Sequence, residues 1–413
     1  MKILHISTSD IIGGAARAAY RLHNGLRDIG VDSYMYVQRK NSDDLSVLSS
    51  KKKLSKLVSL IKPHLDLFPL KRYPSRSSGL FTPAIIKDNL TAIIKRIDPD
   101  IVHLHWLGHA FFRIETLSKI KKPIVWTMHD MWAITGGCHY SSDCTGFHGK
   151  CGKCPALGSN KENDLSRRVW ERKKRAWRGI RIEVVSPSRW LAENIKSSSL
   201  LKDSRVNVIP NGIDSNQFKP IEKEVARNIL SLPADKKLIL FGALNSTSDK
   251  RKGYQLLEQA IKILENKGLD SEVELIVFGS NASKKLQSSR FNIRYVGQLN
   301  DECSLSVLYS AVDVFVAPSI QDNLPNTVME SLSCGTPVVA FDIGGMPDMI
   351  SHKCTGYLAK PYKGDDLAEG ISWILDNSNR WTELSANCRT KVVNEYKISH
   401  ISERYNKLYN ELL

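Results

Sequence analysis

The residues best suited to chemistry lie in the second half of the chain, in Pro318-Ser319-Ile320-Gln321-Asp322-Asn323-Leu324-Pro325-Asn326-Thr327-Val328-Met329-Glu330. A strand ends at Pro318, and a helix starts near Pro325, where proline is pre-organised for a first turn; it stops at Gly335. The amides of Asn326, Thr327 and Val328 would open that helix as an anion site at the carboxyl edge of a parallel sheet, and a diphosphate fits such a site. Glu330, one turn in, is placed to accept hydrogen bonds from two vicinal hydroxyls such as those of a ribose. Asp322 lies in the loop before it. The bland reading is that both acids only complement the positive end of the helix dipole.

Other signals are weaker one by one. Gly13-Gly14-Ala15-Ala16 follows the first strand and opens a helix, so small side chains let a phosphate or a sugar approach free N–H groups; a tight turn without a ligand reads the same way. His129 ends a strand and precedes Asp130, as a sugar-orienting or electrostatic residue or as a structural one. His103 and His105 alternate on another strand, as packing or acceptor-side residues. Asp98-Pro99-Asp100 has the form of a D-x-D metal motif but precedes a buried strand, as a turn does. Cys138, Cys144, Cys151 and Cys154 form C-x5-C-x6-C-x2-C in a Gly/Ser/His-rich insertion spanning 136–155. They could hold a structural zinc, with His139 or His148 replacing one ligand, or form a disulfide, or stay free. Cys303, Cys334, Cys354 and Cys388 read as small buried hydrophobes.

The elements that must position these residues are short β-branched runs alternating with helix-period segments, the pattern of parallel sheets with crossover helices. Strands are expected at Lys2–Ser7, Asp32–Val37, Ile101–Trp106, Ile124–Met128, Ile182–Ser186 and Val206–Ile209. A second set follows at Lys237–Phe241, Glu272–Phe278, Ile293–Val296, Val312–Ala317 and Pro337–Phe341. Helices are expected after Gly14 and around Pro83–Ile97. With 413 residues the chain is too long for one core. The boundary is placed at Pro210-Asn211-Gly212, giving 1–210, 211–390 and a C-terminal helix, 391–413, crossing back to the first domain.

The net charge of +16 is unevenly spread. Residues 1–210 carry +18 and the remainder −2. The basic half faces an anionic partner. Two stretches carry most of the charge. Ser50–Ser77 holds Lys51, Lys52, Lys53, Lys56, Lys62, Lys71, Arg72 and Arg76 among aliphatic residues. Residues 161–181 hold Arg167, Arg168, Arg172, Lys173, Lys174, Arg175 and Arg178, with Trp170 and Trp177 one heptad apart. Both read as amphipathic helices suited to an anionic membrane surface with aromatic anchoring, or as solvated faces. No run approaches the roughly 20 apolar residues of a membrane span. The expectation is a cytoplasmic protein, peripheral on the cytoplasmic membrane. No nucleic-acid module is visible, so a nucleic-acid-binding protein is a remote alternative.

Taken together, Asp322-x7-Glu330, Leu324-Pro325-Asn326-Thr327, Cys334-Gly335-Thr336-Pro337, Gly13-Gly14, His129-Asp130, Pro210-Asn211-Gly212-Ile213-Asp214 and Lys252-Gly253 resemble, in order, the signature of retaining glycosyltransferases of family 4. That resemblance implies the GT-B fold, in which two doubly wound Rossmann-like α/β domains face across a cleft. It implies transfer of a hexosyl unit from a UDP- or GDP-sugar to a glycan or lipid-linked glycan acceptor in polysaccharide biosynthesis, with no catalytic metal. A sugar-nucleotide epimerase of the same fold is the alternative. By the same resemblance His129, Asp322 and Glu330 form the catalytic set, Glu330 holding the donor ribose. Asp322 stands where the family has a glutamate. The family's diphosphate-binding arginine falls on Ala243, so Lys252, with Arg251 as a substitute, is assigned to the phosphates. The donor set expected is Gly13, Gly14, Gly242, Arg251, Lys252, Gly297, Asn326, Thr327, Val328 and Glu330.

Overall fold

The computed structural model describes residues 1–50, 53–242, 249–279, 289–299 and 301–413. Ala243, Lys51 and Lys52 lie outside the described residues, as do the side chains of Lys53 and Lys56. The chain divides into two compact units, one of Met1–Asn211 with Ile401–Leu413, the other of Gly212–His400.

The first unit is built on seven strands: β1 (Lys2–Ser9), β2 (Asp32–Arg39), β3 (Val47–Leu48), β4 (Ile101–Leu104), β5 (Ile124–Thr127), β6 (Ile182–Ser186) and β7 (Val206–Val208). Their order is β3-β2-β1-β4-β5-β6-β7, every pair parallel. β4, β5 and β6 are buried throughout, as expected of a parallel sheet covered on both faces. Alternation assigns the two faces. Leu4, Val102, Ile124, Trp126 and Val184 enter one core, whereas Ile3, Ile101, Val125 and Val185 pack with Tyr405, Leu408 and Tyr409 of the C-terminal helix Ile398–Asn410. Two residues further along that second face come His5, His103 and Thr127.

The second unit has six strands: β8 (Lys237–Gly242), β9 (Val273–Phe278), β10 (Asn292–Gly297), β11 (Val314–Ala317), β12 (Val338–Phe341) and β13 (Gly356–Ala359). They lie in the order β10-β9-β8-β11-β12-β13, again all parallel. Leu238, Leu240, Phe315, Val338 and Ala340 face one core; Ile239, Phe241, Val314, Val316, Val339 and Phe341 face the other.

Several expectations need correction. The helix expected around Pro83–Ile97 begins only at Leu90, because the Asp66 carboxylate takes the amides of Ala84 and Ile85 at 3.1 and 2.7 Å and holds that segment out of helix. β3 and β13 were not anticipated, being only two and four residues long. Trp170 and Trp177 are no surface anchors. Both are buried, their indole N–H groups donating to Ser199 Oγ at 3.1 Å and to the Ile114 carbonyl at 2.9 Å. Lys173 between them is wholly buried over the Trp132 ring, 3.8 Å from its centroid, and burial pulls its pKa down to about 7. Cys334 and Cys388 are buried as expected, but Cys303 and Cys354 are exposed. No helix among the described residues is long and apolar enough to cross a membrane.

Candidate functional site

In an open parallel sheet, ligands bind beyond the carboxyl ends of the strands, where the strand order reverses. In the second unit that point lies between β8 and β11. The chain leaving β8 returns through a short turn, Lys250–Lys252, and the chain leaving β11 runs through Pro318–Leu324 into the helix Asn326–Ser333. Lys252 Nζ meets Asp322 Oδ2 at 2.7 Å, and Arg251 Nη1 stands 3.7 Å from the same oxygen. Arg251 also straps the loop, donating to the Gln321 carbonyl at 3.0 Å and pairing with Asp249 at 2.9 Å. Burial would raise the Asp322 carboxyl, but Lys252 and Arg251 beside it outweigh that and hold its pKa below the ordinary value.

Two glycines permit this closeness. Gly253 has φ +69°, and a Cβ there would fall 1.8 Å from the Pro318 carbonyl oxygen. At Gly344, φ +56°, a Cβ would fall 2.2 Å from the Asp322 carbonyl oxygen. Lys252-Gly253 was visible in the sequence; Gly344 was not singled out. Neither was Tyr309, a wholly buried residue whose hydroxyl donates to Glu330 Oε2 at 3.3 Å.

The helix begins at Asn326 with Pro325 at its N-cap. Of the three amides expected to point at a ligand, that of Val328 is already used, donating to the Pro325 carbonyl at 3.1 Å in a tight first turn. Asn326 and Thr327 stand in the same first turn. Gly242 and Gly297 end β8 and β10, and a Cβ at Gly297, φ +73°, would meet open space.

In the first unit the order reverses between β1 and β4. Gly13 caps the helix Gly14–Asp28 with φ +94° and open space where a Cβ would stand. Beyond β4 and β5, the side chains form a chain of rings. His5 Nδ1 and His105 Nε2 share a hydrogen bond of 2.9 Å, and His105 Nδ1 and His129 Nε2 one of 3.2 Å. His103 is bonded on both nitrogens, to Tyr409 Oη at 2.7 Å and Thr127 Oγ1 at 2.8 Å. Desolvation lowers the pKa of His129 to about 4 against the opposing charge of Asp130, so the ring is neutral near pH 7. The Asp130 carboxylate binds Trp106 Nε1 at 2.7 Å and His139 Nδ1 at 2.6 Å. His139 Nε2 engages Thr82 at 2.7 Å, so neither of its nitrogens is left for a metal.

In the insertion the cysteines carry no disulfide. Gly146 donates its amide to Cys144 Sγ at 3.4 Å, while burial pushes the Cys138 thiol up to about 12 and the Cys151 thiol up to about 11. Among the described residues, the group whose ligand atoms all lie within 4.8 Å of one another is His5, His103 and His105, not the cysteines. Asp98 and Asp100 form the expected turn, tied to Lys122 and to the Lys2 amide at 2.7 Å each.

The family description "Glycosyltransferase Family 4" matches residues 12–217, and "Glycosyl transferases group 1" matches residues 235–377. The putative colanic acid biosynthesis glycosyl transferase WcaC of Escherichia coli K12 is 24% identical over 82% of this chain and 83% of its own length. The sucrose-phosphate synthase of Thermosynechococcus elongatus superposes with a TM-score of 0.72 at 18% identity, over 100% of this chain and 98% of its own. Anabaena Alr3699/HepE, solved in complex with UDP-glucose, superposes with a TM-score of 0.66 at 15% identity over all of both chains. With two doubly wound sheets and both halves matched, the chain belongs to the group 1, family 4 glycosyltransferases of GT-B fold.

Proposed function

We propose that this glycosyltransferase moves a hexosyl unit, with retention, from a UDP- or GDP-sugar held on the second unit to a glycan or lipid-linked glycan acceptor on the basic first unit, in polysaccharide biosynthesis. The observation that carries the reading is the Lys252–Asp322 pair, with Arg251 beside it, at the strand-order reversal. In this reading Lys252 exchanges its carboxylate partner for the donor's diphosphate. A fixed cation there stabilises the charge that the leaving nucleoside diphosphate gains in the transition state, the work a metal does in other transferases. Freed of Lys252, Asp322 turns to the transferred sugar. Glu330, steadied by Tyr309, accepts from the ribose hydroxyls, and Asn326 and Thr327 line the phosphate side. Within the first unit, Gly13, Gly14 and the neutral ring of His129 supply small and uncharged groups suited to a sugar. The colanic acid biosynthesis role that names the Escherichia coli relative and the UDP-glucose held by the Anabaena protein support this substrate class. The test is nucleoside diphosphate release across UDP- and GDP-sugars. Release that requires a lipid-linked or glycan acceptor is expected; turnover of the donor to free sugar without one would point to an epimerase.

Two accessory readings follow. Leu60, Ile61, Leu65 and Phe68 are exposed beside Lys62 and Lys71, the latter 5.4 Å from the Phe68 ring centroid, which supports peripheral binding to an anionic membrane. Co-flotation with vesicles containing phosphatidylglycerol, and none with phosphatidylcholine alone, is expected. Four cysteines within 136–155, the last two at C-x2-C spacing and none in a disulfide, support a structural zinc at Cys138, Cys144, Cys151 and Cys154. One zinc per chain is expected on metal analysis; a metal-free, fully active preparation contradicts it.

A further inference from the structure

The basic stretch at 161–181 loses its aromatic anchors, because both indoles are buried, and its charge gathers around a cleft instead. Between the end of the helix Leu165–Ala176 and the amino ends of β6 and β7 lies a cavity of about 440 Å³, within the size range of small-ligand pockets. All of its walls belong to the first unit. It lies at the amino edge of the sheet, whereas the ligands of an open parallel sheet bind beyond the carboxyl ends.

Lys174, Arg178, Arg181 and Arg205 line it and are exposed. Lys173 lines it too, but its ammonium donates inward to the Trp132 and Thr135 carbonyls. Arg205 is engaged by Glu183 at 3.3 Å and by Glu411 at 2.9 Å, which neutralises one of the two lining acids with it. Lys174 holds the Ser199 carbonyl at 3.4 Å. Among the described residues, Arg178 and Arg181 take part in no ion pair or side-chain hydrogen bond. Asp203 is the remaining lining acid, so positive charge is in excess.

A turn brings the two arginines together. The Ile180 amide donates to the Trp177 carbonyl at 3.2 Å and Gly179 takes φ +74°, so the chain passes at once from helix to β6 with Arg178 and Arg181 on either side of the bend. Lys174 sits in the last helical turn, where a cation complements the helix dipole. The arginines lie beyond that turn, and the dipole does not account for them. Ile180, Leu200 and Leu201 add an apolar wall.

We propose that this cleft is a binding site of the first unit for a small phosphorylated saccharide, its phosphate held by Arg178 and Arg181. Planar guanidinium groups match phosphate oxygens bidentately. A concave site with an apolar wall fits a single sugar body, not the flat surface of a membrane. The site shares no residue with the Lys252–Asp322 pair, and the inference does not depend on the reaction proposed above.

Calorimetric titration of the full chain with glucose 6-phosphate at low salt tests it. One site per chain is expected, displaced by neither UDP nor GDP and weakened by added salt. In Arg178→Ala/Arg181→Ala the affinity should fall about 10- to 100-fold, the loss usual for charge-assisted contacts. Both side chains are exposed, so the variant should fold and keep wild-type nucleoside diphosphate release. No binding of glucose 6-phosphate, undiminished binding in the double variant, equal affinity for glucose, displacement by UDP or GDP, or arginine-dependent binding of phosphatidylglycerol vesicles alone would each overturn the proposal.

Discussion

The two units place opposite chemistries at equivalent points of the same architecture. Where the strand order reverses between β8 and β11, the edge is ionic, with Lys252 and Arg251 around Asp322. Where it reverses between β1 and β4, it is lined by neutral rings, His5, His103 and His105, with His129 beyond β5. The fold supplies a crevice in both cases, and the side chains at the strand ends decide what it can do. Fixed charge suits a leaving diphosphate, and uncharged donors suit a sugar that carries no net charge.

The largest effect expected from breaking this contrast is at Lys252. Lys252→Ala removes the nearest cation and should lower kcat by about 10²–10³-fold, the usual loss for one preorganised electrostatic group, in a steady-state assay of nucleoside diphosphate release. Removing the acid instead, as Asp322→Asn, should leave nucleotide binding intact while sugar turnover falls, because the cation is kept.

Next comes Gly253→Val, which combines a left-handed φ with a clash against the Pro318 carbonyl. A loss of about 3 kcal/mol in denaturant unfolding of the second unit is expected. Gly13→Ala in the other unit faces a similarly demanding φ but open space, so roughly 1 kcal/mol is expected there, with most of the donor affinity retained.

Acid should separate the units. Burial first and foremost lowers the pKa of His5, His103 and His105, and lowers His23 and His129 to about 4. The unfolded chain takes up protons at these sites below about pH 6.5 while the folded chain does not. Stability of the first unit is thus complete above that pH and is lost as pH falls toward 4, by up to about 1.4 kcal/mol per pH unit for each ring. Asp322 behaves otherwise: its depressed pKa contributes stability that is present above about pH 4 and lost only below it. Hydrogen exchange between pH 7 and 4.5 should show amides of β1, β4 and β5 opening before those of β8 and β11. The reverse order would break the comparison.

Much of this was legible because it is local. The strand from Val314, the proline-started helix and Glu330 one turn into it are written in consecutive residues. What was not legible depends on contacts between distant segments. Lys252 and Asp322 are 70 residues apart, and His5, His105 and His129 meet only because β1, β4 and β5 are neighbours in register. The stretch around Trp170 and Trp177 misled for a different reason. Its charged residues imply a surface helix, yet Lys173 spends its charge on a Trp132 face and two carbonyls, so the indoles point inward. Val328 was one amide too many because a first turn after proline closes on the proline's own carbonyl.

The central claim is that the segment from Asp322 to Glu330 grips the nucleotide. Titrating UDP and GDP into wild type and Glu330→Ala by calorimetry tests it most directly. Losing hydrogen bonds from a carboxylate to two hydroxyls should weaken the nucleotide that binds by about 10- to 100-fold, with the fold unchanged by circular dichroism. Equal affinity in the two proteins would contradict the account.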